Sequence, residues 1–135
     1  MSTERILQEL TESMPLSKGG LDLKENGQGF GLIIVDEVNG FATVGAGNLA
    51  PQTPNEQVSV MVSETDRLAR AFIKQDMPVL AFLDTHDPGK PEPPYPPHCE
   101  RGTGEEELVP ELKWLENDPH ATLVRKDCIN GFIGA

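Results

Sequence analysis

The amino-acid sequence predicts an α/β fold: a Rossmann-like, three-layer α/β/α arrangement around a parallel sheet, of which this chain carries about three strands. Residues 30–35 and 79–83 are continuous apolar runs of strand length, the pattern of parallel strands that helices cover on both faces. Between them, residues 58–73 carry apolar side chains at three- and four-residue spacing, which predicts an amphipathic helix. The order strand, helix, strand is almost always a right-handed parallel crossover.

Local signals predict where the elements begin and end. Residues 53–56 read Thr-Pro-Asn-Glu, a capping box with proline at the first helical position, so the helix is expected to start there. Residues 76–78, Asp-Met-Pro, end it. Farther along, a short helix is predicted over residues 108–115 from about Pro110, and residues 121–126 are predicted to form a third strand.

The chain divides into an N-terminal segment and one domain. Residues 1–29 combine a short helical pattern with a polar, glycine-containing lead-in, and we assign no chemistry to them. Residues 30–135 form the domain that carries every candidate functional residue. Within it, residues 85–103 contain six prolines, too many for regular structure, so this stretch is predicted to be a stiff loop that can hold ligands in place.

Composition and charge exclude several classes of function. The chain has 22 acidic and 11 basic side chains, a formal net charge of -11 that repels nucleic-acid phosphates and anionic membrane surfaces. No apolar run approaches the roughly 20 residues that span a bilayer, and the opening segment carries glutamates where a secretory signal is apolar. We expect a soluble cytoplasmic or nuclear protein whose two cysteines are reduced thiols.

Three functional side chains stand at the carboxyl ends of the three predicted strands. Asp36 and Asp84 follow the first two apolar runs, and Lys126 ends the third. In an open parallel sheet the loops at those ends meet in one crevice, where ligands bind. We therefore expect the two carboxylates and the ammonium to lie close together. Taken singly, each aspartate also fits a turn or capping role, because Asp commonly ends strands in that way.

A candidate metal site surrounds Asp84. His86 follows it by two residues, and the proline-rich loop delivers His98. One carboxylate and two imidazoles without a thiolate suit zinc, iron or manganese, with the remaining positions open to water or substrate. The alternatives are an ordinary surface histidine at position 98, or adventitious metal binding by two histidines in acidic surroundings.

Four segments in order, residues 32–41, 82–86, 96–99 and 125–132, resemble the nicotinamidases, in particular their plant-type branch, among the isochorismatase-like cysteine hydrolases. The resemblance covers essentially residues 30–135. Four ordered motifs at matching spacing are more specific than any one of them. The resemblance implies an isochorismatase-like α/β domain, whose first strand lies in the middle of a six-stranded sheet, and an enzyme that hydrolyses nicotinamide to nicotinic acid and ammonia.

The resemblance also implies a role for each candidate residue. Asp36 would be the general base, Lys126 would stabilise the thiolate and the developing charge, and Asp84 with the two histidines would hold a divalent metal, most simply zinc, that contacts the pyridine nitrogen. Phe41 stands where the family has an aromatic wall for the ring, although ordinary core packing explains that residue nearly as well. The implied chemistry is attack of a cysteine thiolate on the carboxamide, release of ammonia, and hydrolysis of the thioester.

The family nucleophile is the position that the resemblance does not supply. That cysteine follows a fourth strand, and no residue up to Ala135 corresponds to it, so the 135-residue chain is expected to be inactive alone. Cys128 is a weak candidate because it lies two residues past Lys126 but lacks the helix-start geometry that activates a thiol. Cys99 is expected to be structural.

Two other functions remain open at this point. A non-catalytic relative would keep the metal and the ring-binding groups and would pair with an intact subunit, and a homo-oligomer is also compatible with the sequence. An isochorismatase-type enzyme would hydrolyse a vinyl ether with the aspartate and lysine alone, and it would not need the metal triad. An incomplete sheet further predicts that residues 32–35 form an exposed apolar edge that is prone to association.

Overall fold

The computed structural model describes residues 2–14, 29–90 and 92–133 of the chain. The predicted lead-in of residues 15–28 lies outside the described residues. Within the described part the elements follow in the order α1 Thr3–Ser13, β1 Leu32–Val35, α2 Asn39–Ala42, α3 Glu56–Ile73, β2 Val79–Asp84, a 3₁₀ helix Pro110–Asn117 and β3 Ala121–Lys126.

The three strands form one parallel sheet in the order β1-β2-β3. β1 pairs with β2 from Leu32 opposite Val79, and β2 pairs with β3 up to Asp84 opposite Lys126. The predicted α/β class with a parallel sheet is therefore confirmed. Because all three strands run in the same direction, their carboxyl ends lie along one edge of the sheet, and the loops that leave them meet there.

Helices cover one face of this sheet in the described part of the chain. Alternate strand residues point to that face, since successive side chains in a strand point to opposite sides. Their apolar side chains share one core with α3 and the 3₁₀ helix, whose buried members include Ile34, Ala81, Leu83, Val62, Ala69, Leu112 and Leu115. Burial of this kind contributes roughly 25 cal/mol for each square ångström of apolar surface removed from water, so this face holds the fold together.

The opposite face of the sheet is open at β1, whereas Phe82 of β2 on that face is buried beside Gly131 and Phe132. Ile33 and Val35 keep 55% and 56% of their surfaces exposed, whereas Ile34 between them keeps 3%. β1 is thus covered on one face, and its apolar side chains on the other face meet solvent, as an exposed apolar edge predicts. Among the described helices none is long and apolar enough to cross a bilayer.

Two details of α3 differ from the sequence prediction. The helix starts at Glu56, and its N-cap is Asn55, whose side chain accepts a hydrogen bond from the Val58 amide at 3.2 Å. The predicted capping box at residues 53–56 is therefore wrong by two residues, because the asparagine oxygen satisfies the free amide that the threonine was expected to satisfy. Met61 and Leu68, two apolar residues that the periodicity places on the packed face, are 45% and 38% exposed.

The other predicted helices are confirmed in outline. The α1 helix forms at Thr3–Ser13 and buries no residue. The segment after residue 108 begins at Pro110, as predicted, but it is a 3₁₀ helix, and it buries Leu112 and Leu115 against the core. At eight residues it is longer than most 3₁₀ helices, whose poorer hydrogen-bond geometry usually limits them to three or four residues.

The open face makes a testable prediction about neighbouring residues of β1. Ile33→Lys should change the free energy of unfolding by no more than about 0.5 kcal/mol, whereas Ile34→Lys should lower it by about 4 kcal/mol because it buries an unpaired charge. The lysine at position 33 should also reduce self-association of the chain, since charges on an open sheet oppose pairing with another copy. Urea unfolding and sedimentation velocity measure the two effects, and equal losses for both variants would contradict the exposed position of Ile33.

Candidate metal and catalytic site

The strand ends bring an acid, an amine and a second acid together. Asp84 and Lys126 are register partners on adjacent strands, so their side chains leave the sheet on the same face. Asp36 follows β1, and simple alternation would place its side chain on the other face. Its left-handed backbone, with φ at 59°, turns the chain at that point, while its amide still donates to Phe82 O at 2.9 Å.

Lys126 bridges the two carboxylates. Its Nζ donates a hydrogen bond to Asp84 Oδ1 at 3.1 Å and forms an ion pair with Asp36 Oδ1 at 3.0 Å. Lys126 and Asp84 are both buried. Because a buried charge is tolerated only when it is paired, Lys126 and Asp84 require one another, and the half-buried Asp36 is a second partner for the ammonium. The structure brings the three residues together, as the strand ends predict.

Burial and charge perturb two of these groups. Burial raises the pKa of Asp36, and the neighbouring Lys126 opposes that rise without cancelling it. Burial alone would lower the pKa of Lys126, but the two aspartates outweigh it, so that pKa is raised and the amine stays an ammonium. A carboxylate with a raised pKa accepts a proton more readily than an ordinary one, which is the property that a general base needs.

The candidate metal ligands also converge. The Nε2 atoms of His86 and His98 lie 3.0 and 3.3 Å from Asp84 Oδ2. One ligand atom from each of the three residues lies within 4.8 Å of the others, and all three residues are buried. The geometry therefore brings together the carboxylate and two imidazoles that the sequence singled out, and it does so at a spacing that one cation can bridge.

Hydrogen bonds outside the cluster orient the histidine from the loop. His98 Nδ1 lies 2.8 Å from Pro96 O, so that nitrogen carries the proton and Nε2 presents its lone pair to the cluster. The loop itself is tied to the end of β2, since the His86 amide donates to Cys99 O at 3.0 Å and the Arg101 amide donates to His86 O at 2.8 Å. The described part of the proline-rich stretch is thus held beside the cluster by backbone hydrogen bonds, as expected of a stiff loop.

Two residues of the site were missed by the sequence analysis. Glu92 Oε2 lies 3.5 Å from His86 Nε2 and 3.6 Å from His98 Nε2, which makes this carboxylate a fourth candidate ligand. The Tyr95 ring lies 6.0 Å from the His98 ring. Glu92 could have been found from the sequence, because it lies midway between the two candidate ligand histidines in the proline-rich loop. Tyr95 reaches the site only through the path of that loop, and the sequence does not indicate that path.

A cavity of about 310 Å³ opens beside the cluster. Its volume is at the lower end of the range for small-molecule sites. The polar lining groups are those described above, and its other lining residues are Val35, Phe41, Leu49, Tyr95, Cys128 and Ile129. Phe41 packs against the core and also lines the cavity, with its ring 5.7 Å from that of His98, so its position is compatible with both interpretations.

The two cysteines differ in their surroundings. Cys99 has no exposed surface, and burial, assisted by the nearby carboxylates of Asp84 and Glu105, raises the pKa of its thiol far above the usual range. Such a thiol stays protonated, so Cys99 is unsuited to be a nucleophile. Cys128 lines the cavity, and its Sγ lies 3.3 Å from Asn130 O.

Glu37, next to the candidate base, faces helix α3 instead of the cavity. Its Oε1 accepts a hydrogen bond from Thr65 Oγ1 at 2.6 Å, and its Oε2 is buried without a hydrogen-bond partner in the described residues. Burial raises the pKa of Glu37, and the hydrogen bond from Thr65 partly opposes that rise. This carboxyl group belongs to the packing between β1 and α3.

The raised pKa of Glu37 predicts a pH-dependent stability. The folded state favours the protonated carboxyl, so this contribution is present below the ordinary value of 4.5 and is lost as pH rises through the folded value. Glu37→Gln should therefore be more stable relative to the wild type at pH 7 than at pH 4. Thr65→Val, which removes the opposing hydrogen bond, should enlarge the pH dependence of a chain that keeps Glu37. Urea unfolding at both pH values measures the differences, and parallel wild-type and Glu37→Gln curves would refute the prediction.

The fold and the site together define an α/β protein with a candidate catalytic and metal-binding centre at the carboxyl ends of its parallel strands. Residues 30–135 match the family model of the Isochorismatase domain, and the chain belongs to this family.

The chain is similar to proteins named as nicotinamidases and pyrazinamidases. The chain is 53% identical over 132 residues to Nicotinamidase 1 of Arabidopsis thaliana, a match that covers 98% of this chain and 54% of that protein. The solved nicotinamidase of Bacillus subtilis is 29% identical with a TM-score of 0.62, over 77% of this chain and 59% of that one. A pyrazinamidase of Pyrococcus horikoshii, solved in complex with zinc, shares the fold with a TM-score of 0.57 at 23% identity, over 77% of this chain and 58% of that one. This chain thus spans about half the length of the curated relative that it matches.

Proposed function

We propose that this chain carries the base, the amine and the metal-binding group of an amidohydrolase that converts nicotinamide to nicotinic acid and ammonia. The observation that carries the proposal is the buried Lys126 ammonium between Asp36 and Asp84, with two imidazoles on the far oxygen of Asp84. The name of the Arabidopsis relative supports nicotinamide as the substrate.

The donor set fits a divalent cation. Asp84, His86 and His98 would hold it, with Glu92 in reach as a fourth ligand, and oxygen and nitrogen donors of this kind suit zinc first and also iron or manganese. The zinc in the Pyrococcus horikoshii pyrazinamidase supports the choice of zinc. When bound, the metal would supply a Lewis acid for the pyridine nitrogen of the substrate.

The cavity suits a flat aromatic amide. Phe41 and Tyr95 line it together with Leu49 and Val35, so a pyridine ring would meet aromatic and aliphatic surface on its faces and the charged groups at its edge. Lys126 lines the same cavity, which puts an ammonium within reach of the carboxamide. A ring of this size fills a site at the small end of the usual range.

The chain's own residues account for the proton transfers. Asp36 takes the proton of a cysteine thiol, and the Lys126 ammonium stabilises the thiolate that results. The thiolate attacks the carboxamide carbon, the carbon–nitrogen bond breaks, and the proton on Asp36 leaves with ammonia. Asp36 then takes a proton from water, whose oxygen attacks the thioester carbon; the carbon–sulfur bond breaks to release nicotinic acid, and the proton returns from Asp36 to the thiolate.

The nucleophilic cysteine in this proposal lies outside the 135 residues. Cys99 is buried with a raised thiol pKa, and its position is structural. Cys128 lines the cavity, but it follows β3, and no helix in the described residues begins beside it. A helix start is one of the environments that activate a thiol. In the family that the sequence resembles, the nucleophile lies on a turn after a fourth strand.

Metal binding is the first test of the proposal. The purified chain should bind about one zinc ion, and His98→Ala should weaken binding strongly, because a missing ligand leaves an incomplete first coordination shell. His120→Ala is the matched control, since His120 precedes β3 at the far end of the strand and should leave binding unchanged. Titration against a chelator measures both, and equal losses for the two variants would contradict the metal site.

Substrate binding tests the proposed amide. The zinc-loaded chain should bind nicotinamide more tightly than benzamide, which has the same shape but lacks the ring nitrogen. Benzamide would leave the bound zinc without the nitrogen that the proposal pairs with it. Calorimetric titration of the two compounds gives the ratio of dissociation constants. Equal affinities, or no binding of nicotinamide, would contradict the proposed substrate.

Ammonia release tests where the nucleophile lies. The zinc-loaded 135-residue chain should release no ammonia from nicotinamide, and Cys128→Ser should behave in the same way, because the proposed nucleophile is not among these residues. A coupled glutamate dehydrogenase assay detects the product. Ammonia release that Cys128→Ser abolishes would identify Cys128 as the nucleophile and overturn this part of the proposal.

A further inference from the structure

We propose that Glu105 is a positioning residue for the metal-binding group, acting through the backbone of Cys99 to hold the His98 imidazole in place. This inference rests on the metal site proposed above and concerns a residue that would contact neither metal nor substrate. Glu105 does not line the cavity of the site, and its carboxylate contacts the backbone amide of Cys99, the residue after His98.

The key contact is a hydrogen bond from the loop backbone to the carboxylate. The Cys99 amide donates to Glu105 Oε2 at 2.9 Å. Cys99 has a left-handed backbone with φ at 46°, which is uncommon for a residue with a side chain and persists only when the surroundings hold it. A charged acceptor on that amide is the strongest hydrogen-bond partner the chain can offer to hold it.

That backbone turn connects two candidate ligands. His98 immediately precedes Cys99, and Cys99 O accepts the hydrogen bond from the His86 amide. A change in the Cys99 backbone would therefore move the His98 ring and loosen the segment that carries His86. The hydrogen bond from His98 Nδ1 to Pro96 O orients the ring, but it lies within the same loop and cannot fix the loop relative to the sheet.

Two glycines in the segment after β1 leave space for the Glu105 side chain. A Cβ at Gly47 would overlap the carboxylate of Glu105, and a Cβ at Gly40 would lie 3.1 Å from Glu105 Cβ and 2.6 Å from Cys99 Sγ. The Gly40 amide also donates to Glu105 O at 2.8 Å. Glu105 thus joins the segment after β1 to the histidine loop, and these glycines permit the close approach.

Gly47 offers an independent way to disturb the contact. Its φ lies outside the left-handed region, so alanine fits the backbone there, and the added methyl group meets only the flexible end of Glu105. Gly47→Ala should push the carboxylate away from the Cys99 amide while leaving position 105 unchanged. It should therefore reproduce the effect of losing the carboxylate.

The test uses cobalt as the metal probe and the 135-residue chain. Glu105→Ala should weaken Co²⁺ binding by about 10- to 100-fold, the usual effect of removing a group that orients a metal ligand, and it should shift the visible absorption bands of the bound cobalt. Glu105→Gln, which keeps a side-chain oxygen as acceptor, should restore both the affinity and the spectrum. Gly47→Ala should match Glu105→Ala, and the double variant should bind no more weakly than either single variant.

Two controls separate this inference from other effects. Glu116→Ala removes the same charge from an exposed position on the 3₁₀ helix, so it should leave Co²⁺ binding unchanged if the role of Glu105 is more than its charge. Hydrogen exchange of the Cys99 amide in the metal-free chain should speed up in Glu105→Ala and Gly47→Ala and stay slow in Glu105→Gln. That measurement reports the contact itself and needs no metal.

The outcomes distinguish this inference from the proposed metal site. If the wild type binds Co²⁺, His98→Ala abolishes binding and Glu105→Ala does not weaken it, the positioning role is overturned and the metal site is supported. A Glu105→Gln variant as defective as Glu105→Ala would also overturn it, because the acceptor would then not be what matters. No Co²⁺ binding by the wild type would contradict the metal site and with it the positioning of a ligand, while slow Cys99 exchange that depends on Glu105 would still establish the contact.

Discussion

The buried ammonium of Lys126 is the interaction on which the rest of this site depends. It neutralises Asp36 and Asp84 at the same time, with Nζ at 3.0 and 3.1 Å from them. Without it, two carboxylates would face one another in a poorly solvated crevice, and the cost of their desolvation would fall on the fold. The parallel register that sets Asp84 opposite Lys126 therefore serves stability and also the chemistry proposed for this site.

Asp84 joins the two halves of the site because its two oxygens have different partners. Oδ1 accepts the hydrogen bond from Lys126, and Oδ2 faces both His86 and His98. The candidate base and amine on one side and the candidate metal ligands on the other are thus connected through a single carboxylate. An asparagine at this position would keep an oxygen for Lys126, but its amide nitrogen could not serve as a ligand beside the two imidazoles, so the proposed metal site requires a carboxylate here.

Much of this arrangement was predictable from the sequence, for a definite reason. Apolar runs mark parallel strands, and polar residues at their ends must meet at one edge, so Asp84, Lys126 and the histidine cluster followed from pattern alone. What escaped prediction depends on backbone angles and loop paths. The left-handed turn at Asp36 and the approach of Glu92 arise from the folded chain, and no periodicity encodes them. Similarly, the choice of Asn55 over the preceding threonine as N-cap is a competition between two adequate caps.

The open face of the sheet and the site are physically linked. Val35, the last residue of β1, is 56% exposed on that face and also lines the cavity, so solvent that reaches the open sheet also reaches the neighbourhood of Asp36. Charge interactions in a crevice weaken as water enters, because the effective dielectric constant rises. Any polypeptide that covered Val35 would therefore strengthen the pairing of Lys126 with its two aspartates as well as bury apolar surface. Covering the sheet and strengthening this buried ion pair would then be two effects of one contact.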